Sequence, residues 1–240
     1  DVNTGAVLAC ATYPSYDLNT YYQNYEALSK DKSSPLWNRA LMSTYEPGST
    51  MKPAIAAAGL EEGVITETSK FYCSHIYRQF TDTTFKCLGS HGWIDVKNAL
   101  NQSCNIYFYE TGRLLGINRM NDYCTRFGLG QKTGVEINES SGVLAGIAYR
   151  EAHGGTWYPG DTVQAAIGQS DNLFTPIQLC SYVSTIANGG TRYRAHFVKS
   201  VKSSDYSETL LSNDGVVLNE TGVSQNSIRI VKEGMGMLGA

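Results

Sequence analysis

The chain has 240 residues, 42% of them apolar and 17% charged, which allows a sizeable buried core and excludes a disordered or coiled-coil chain. A net charge of −3 and a pI near 5.8 exclude the basic footprint of a nucleic-acid or anionic-membrane binder. Apolar runs such as Ala54–Leu60, which contains a glycine, fall far short of the ~20 residues that a spanning helix needs.

Val7–Ala11 reads as a short apolar strand, followed by a polar loop over Tyr13–Ser34. Leu41–Tyr45 leads into the turn Glu46-Pro47-Gly48. From there the pattern predicts a helix over Ser49–Leu60, with Ala54–Ala58 supplying propensity and Gly63 ending it. Phe71–Ser90 is polar and irregular. Ile94–Gln102, Asn105–Leu115 and Ile117–Phe127 read as helices, the last closed by Gly128-Leu129-Gly130. Thr162–Ile167 and Pro176–Ala187 are apolar helical segments, the second stopped by Asn188-Gly189-Gly190. Beyond Tyr193, alternation such as His196–Val201 predicts strands, and Ser227–Val231 reads as the entry to a strand or helix. A strand, many helices and then strands, with no repeat, predicts an α+β fold with a helical insertion rather than a doubly wound sheet. With no leader before Asp1 and an abrupt stop at Ala240, residues 1–240 read as part of a domain cut from a longer protein.

The sharpest local signal is Tyr45-Glu46-Pro47-Gly48-Ser49-Thr50-Met51-Lys52-Pro53. Pro47-Gly48 turns the chain so that Ser49 falls at a helix start, with Lys52 one turn on and facing the same way. A serine hydroxyl needs a neighbouring base, and a lysine serves when burial lowers its pKa. Ser29-Lys30-Asp31-Lys32 has the same spacing but lacks the turn and helix, so it ranks below Ser49. A Ser-x-Asn element occurs three times. Ser103-Cys104-Asn105 lies between two predicted helices, where a short loop can aim both side chains into a cleft. Ser170-Asp171-Asn172 and Ser224-Gln225-Asn226 read as an ordinary turn and cap. Lys132-Thr133-Gly134 sits between helices and reads as a structural turn. Gly234-Met235-Gly236-Met237-Leu238-Gly239 is a weak match to a dinucleotide fingerprint, with no helix expected after it.

With these residues in view, the chain resembles the transpeptidase domain of class B penicillin-binding proteins, in the penicillin-binding protein 2 and sporulation branch. The resemblance rests on Asp1–Asp17, Tyr45–Pro53, Ser90-His91-Gly92, Ser103–Tyr109, Phe127–Gly134, Ala166–Gln178 and Ile186–Gly190. It implies a fold like that of the serine β-lactamases, a helical subdomain beside an antiparallel sheet. It also implies a membrane-anchored bacterial D,D-transpeptidase facing the extracytoplasmic side. Such an enzyme cross-links the stem pentapeptides of peptidoglycan, is acylated by β-lactams and needs no cofactor for its chemistry. Carried over by motif, Ser49 is the nucleophile, Lys52 its base, and Ser103 and Asn105 the second element. The true Lys-Thr-Gly strand is expected past Ala240, and a glycosyltransferase is the expected partner of the parent protein. A β-lactam sensor domain and a serine β-lactamase share the serine and lysine and stand as alternatives; no deacylating base stands at a recognisable spacing.

Cys10, Cys124 and Cys180 lie in apolar contexts and read as core. Cys73, Cys87, His91 and Cys104 instead cluster in sequence around the irregular segment and the second element. Three thiolates and an imidazole suit tetrahedral zinc. A Cys73–Cys87 disulfide and buried free thiols remain as alternatives. Zinc is placed first because a disulfide leaves His91 and Cys104 unexplained.

Overall fold

The computed structural model describes residues 1–239. The stretch expected as a polar loop contains helix α1 (Tyr21–Lys30), none of whose residues is buried. Local pairs account for it. Glu26 and Lys30 meet at 2.6 Å one turn apart, and the Tyr21 ring packs against Tyr16 and Tyr25. After the short α2 (Arg39–Met42), a 3₁₀ turn over Gly48–Met51 runs into α3 (Lys52–Glu61). The predicted helix over Ser49–Leu60 is therefore two pieces, with Ser49 in the tighter one.

Helix α3 is the axis of the molecule. Lys52 through Gly59 are all buried, and Ala54–Ala58 are 0% exposed. A helix apolar on every face belongs inside a core, and its alanines let neighbours approach closely. The segment that follows holds strands β1 (Phe71–Cys73), β2 (Ile76–Tyr77), β3 (Phe85–Lys86) and β4 (Gly92–Ile94), then α4 (Val96–Asn101), α5 (Asn105–Leu115) and α6 (Ile117–Arg126). It is α4, α5 and α6 that pack against α3, with β1 and β2 outside them on α5. The segment expected to be irregular is thus two antiparallel pairs, β1–β4 with Cys73 opposite Gly92, and β2–β3 with Ile76 opposite Lys86. Asp95 caps α4 by accepting from Asn98 N at 3.0 Å.

Helices α7 (Ile147–Ala152), α8 (Pro159–Ala166) and α9 (Pro176–Ala187) complete the helical body. Gly112 of α5 lies against Ala166 of α8, where an added Cβ would sit 2.3 Å from the alanine methyl. Thr175 and Gln178 form a reciprocal cap around Pro176, which fixes the start of α9. Strands β5 (Thr191–Tyr193) and β8 (Val217–Glu220) pair antiparallel, as do β6 (Ser200–Lys202) and β7 (Thr209–Ser212). The chain ends in α10 (Gln225–Leu238), which packs on α4 and α3.

Three sequence expectations are corrected here. Val7–Ala11 is no strand: Ala6 makes a single parallel bridge to His196, and Leu8 is 81% exposed. Alternation over His196–Val201 yields strand only from Ser200, because the Phe197 and Val198 amides donate to the Glu136 carboxylate and not to a neighbouring strand. Cys10 and Cys180 are exposed, lining a groove of about 380 Å³ between the N-terminal segment and α9; only Cys124 of the three is core. The glycine-rich Gly234–Gly239 run, only a weak fingerprint match in sequence, lies largely within α10 and packs against α4, so it has no loop in which to hold a phosphate.

Candidate active site

Gly48, at φ +54°, closes the turn after Pro47 and places the exposed Ser49 at the mouth of α3. The turn is held from two sides. Tyr182 of α9, fully buried, donates its hydroxyl to Thr50 O at 2.9 Å, and Gly48 N donates to Gly168 O at 3.0 Å. Tyr45 also bridges to Phe174 through two 2.9 Å hydrogen bonds. The sequence reading singles out neither Tyr182 nor Gly168; their support of the turn depends on tertiary contacts that no local motif encodes.

Ser103 occupies the loop between α4 and α5 in a left-handed conformation, φ +49°. Ser103 N donates to Leu100 O and Cys104 N to Ala99 O, so the α4 terminus holds this backbone. The conformation turns the Ser103 hydroxyl toward Ser49, and Oγ–Oγ is 2.9 Å. Lys52 is 1% exposed and spends all three ammonium hydrogens here: Nζ donates to Ser103 O (2.8 Å), Ser103 Oγ (3.0 Å) and Asn105 Oδ1 (2.7 Å). Among the described residues no hydrogen bond joins Lys52 directly to Ser49; the connection runs through Ser103. Asn105 Nδ2 donates to Lys86 O at 3.2 Å, which fixes the amide orientation from the β3 side. Burial pushes the Lys52 ammonium down to about 8, against the opposing influence of negative charge at Cys87 and Cys104.

Three rival motifs lie elsewhere. Ser29 is exposed on α1 and donates its hydroxyl to Glu26 O. Ser224 caps α10. Thr133 and Gly134 wrap the buried Glu139 carboxylate, which accepts from Thr133 N, Thr133 Oγ1 and Gly134 N at 2.7–2.9 Å. Asn172 is fully buried, but its neighbour Ser170 lies two residues from Gly168 and hence close to the nucleophile turn.

Cys73, Cys87, His91 and Cys104 converge beneath Asn105. Their donor atoms all lie within 4.8 Å of one another. Cys73 Sγ and Cys87 Sγ stand 3.4 and 3.7 Å from His91 Nδ1, and Cys87 and Cys104 are 4.0 Å apart. Asn105 N donates to Cys87 Sγ at 3.3 Å, joining this cluster to the second element.

A serine wired through a second serine to a buried lysine equips the fold for acyl transfer through a serine ester. The chain matches the penicillin binding protein transpeptidase domain over residues 1–237. It is 34% identical over 216 residues to the peptidoglycan D,D-transpeptidase MrdA of Salmonella typhimurium, covering 85% of this chain and 34% of that protein. Stage V sporulation protein D of Bacillus subtilis is 32% identical over 198 residues, 81% of this chain and 28% of that protein. Among solved structures, a chain from a peptidoglycan synthase complex that coordinates polymerization and crosslinking aligns with a TM-score of 0.85 at 32% identity. That alignment covers 99% of this chain and 41% of the other. The imipenem acyl-enzyme of penicillin-binding protein A from M. tuberculosis aligns at 0.83 and 25% identity, over 98% of this chain and 55% of that one. The chain belongs to the penicillin-binding protein transpeptidase domain family. It spans about a third of the length of the curated relatives it matches.

Proposed function

We propose that the full-length protein is a peptidoglycan D,D-transpeptidase working through a serine acyl-enzyme. The observation that carries this reading is the hydrogen-bonded series Ser49–Ser103–Lys52 at 2.9 and 3.0 Å. As an ammonium, Lys52 gives a hydrogen to each of its three acceptors. As a neutral amine it still donates to Ser103 O and Asn105 Oδ1, and its lone pair faces Ser103 Oγ. The Ser103 proton can then move to Lys52 while Ser103 takes the proton of Ser49. Ser49 Oγ attacks the penultimate D-Ala carbonyl of a stem pentapeptide, and the C–N bond to the terminal D-Ala breaks. The departing amine recovers the proton by the same route. An acceptor amine then attacks the ester, gives its proton to the relay, and Ser49 leaves as the hydroxyl. Asn105 keeps one Nδ2 hydrogen for a substrate carbonyl.

The Lys-Thr-Gly strand in this reading comes from residues past 240 and completes a sheet alongside the N-terminal segment, whose exposed Leu8 and apolar groove await a partner. The reaction places the domain outside the cytoplasmic membrane, where the substrate is. The similarity to a chain of a synthase complex supports a glycosyltransferase partner. Labelling of the full-length protein with fluorescent penicillin tests the proposal. Wild type is expected to label stably for hours and Ser49→Ala to fold but not label. Release within minutes would indicate a β-lactamase, and labelling of Ser49→Ala would remove Ser49 as nucleophile.

We also propose that Cys73, Cys87, His91 and Cys104 hold a structural zinc ion. A tetrahedral site with Zn–S of about 2.3 Å and Zn–N of about 2.0 Å sets sulfur–sulfur edges near ~3.8 Å and sulfur–nitrogen edges near ~3.5 Å. The separations of 4.0, 3.4 and 3.7 Å fit. The chemistry stays on the serines; the ion would tie β1, β3 and the start of α5 together. Protein purified without chelator is expected to carry one zinc per chain, and Cys104→Ser to lose it together with thermal stability. Metal-free protein with Cys73 and Cys87 oxidised to each other would overturn the site.

A further inference from the structure

Arg150, at the end of α7, is absent from every motif, yet it reaches the loop that abuts the nucleophile. Its Nε donates to Asp171 Oδ2 at 2.6 Å, and its Nη2 to Ser170 Oγ at 3.2 Å and to Asp161 Oδ1 at 3.3 Å. The guanidinium also lies 5.6 Å from the centre of the Trp157 ring. The loop it grips is in an unfavourable shape. Ser170 sits at φ +66°, a left-handed conformation that its Cβ disfavours. The far end of the same turn is pinned independently: buried Asn172 accepts from Ala145 N and donates to Ala165 O and Gln169 O.

What the loop supports is the nucleophile turn. Gly168 O accepts from Gly48 N, and the two backbones touch so closely that a Cβ on Gly168 would lie 2.2 Å from Gly48 O. Ser49 is the next residue. A shift of the Gly168–Asn172 turn therefore shifts Gly48, and with it the direction of the Ser49 hydroxyl toward Ser103.

We propose that Arg150 is a positioning residue: by holding Ser170 and Asp171 it keeps the Gly168 turn in register with Gly48 and so aims Ser49 for attack. This rests on Ser49 being the nucleophile. Arg150 contacts none of the reacting groups. Its effect is on geometry, so it belongs to the limiting rate of acylation and not to the initial binding of the β-lactam.

Stopped-flow acylation of the full-length protein by a chromogenic cephalosporin separates the two. Arg150→Lys is expected to lower the limiting acylation rate by about 10- to 100-fold, the size of effect that a misplaced reacting atom produces. The non-covalent dissociation constant should hardly move. Asp171→Asn, which removes the same ion pair from the loop side, should act in the same direction and add little to Arg150→Lys; it carries the test if Arg150→Lys folds poorly. Ser170→Gly in the Arg150→Lys background should restore most of the rate, because glycine takes φ +66° without a Cβ penalty. A merely structural arginine would lower thermal stability without that rescue. An unchanged limiting rate in both variants, or a loss that Ser170→Gly does not restore, overturns the proposal. Ser49→Ala is run in parallel. If it still acylates, the nucleophile assignment itself has failed; if it is dead while Arg150→Lys and Asp171→Asn are unimpaired, only the clamp has.

Discussion

Lys52 must lose a proton before it can take one, and its surroundings make that possible near neutral pH. Burial disfavours the ammonium and brings its pKa to about 8. The sign is fixed by which form works. Below that value the ammonium dominates and the neutral base increases tenfold per pH unit; above it the base is saturated. The limiting acylation rate is therefore expected to rise through pH 7 and level off above about 8. Ser103→Ala breaks the only hydrogen-bonded route from Lys52 to Ser49 among the described residues. It should cost the ~10²–10⁴-fold that a positioned proton-transfer group contributes. A rate that falls with pH across this window, or a Ser103→Ala variant with wild-type kinetics, would contradict the relay. At this scale the residue types and spacing bring the right groups together, because Ser49 and Lys52 lie one helical turn apart and Ser103 and Asn105 flank Cys104 at the α4–α5 junction. They do not show that the lysine reaches the nucleophile through Ser103. That depends on the left-handed Ser103 backbone, a consequence of how α4 ends.

Elements with their own caps and breakers are legible along the chain, and elements made by partners are not. Asp95, the Thr175–Gln178 pair and Gly116 mark α4, α9 and the α5–α6 boundary locally. By contrast β1–β4 and β2–β3 contain only two or three residues per strand, too short for alternation to register. Helix α10 was ambiguous because its glycines weaken the helical signal. Their roles differ within that one helix. An added Cβ at Gly234 would meet Leu100 Cδ1 at 2.8 Å and the Lys97 backbone at 3.1 Å, whereas nothing lies within 4 Å of one at Gly236. Gly236→Ala is expected to gain up to about 1 kcal/mol of stability from helix propensity. Gly234→Leu should lose about 1–3 kcal/mol by forcing α10 off α4. Thermal unfolding of both variants checks the contrast, and equal shifts in the same direction would show that α4 does not constrain α10.

At the level of the whole molecule, the described residues build a helical body around α3 and leave the sheet side open. Every face of α3 is covered, yet Val7–Ala11, strongly apolar in sequence, forms no strand: the one bridge to His196 is made by Ala6 just before it, and Leu8 is exposed. The strand expected there follows from composition; its pairing requires neighbours that the described residues do not supply. Cys10 and Cys180 report on this directly, since both are exposed and line the same groove. If residues past 240 lay strands along the N-terminal segment, as the transpeptidase reading requires, they would cover these two thiols. In the isolated 240-residue chain Cys10 and Cys180 are expected to react quickly with a thiol reagent, while Cys73, Cys87, Cys104 and Cys124 stay protected by burial. In the full-length native protein, Cys10 and Cys180 should become protected as well, and penicillin labelling should appear only in that longer form. Equal thiol reactivity in both forms would mean that the groove stays open in the complete protein and that the Lys-Thr-Gly strand docks elsewhere.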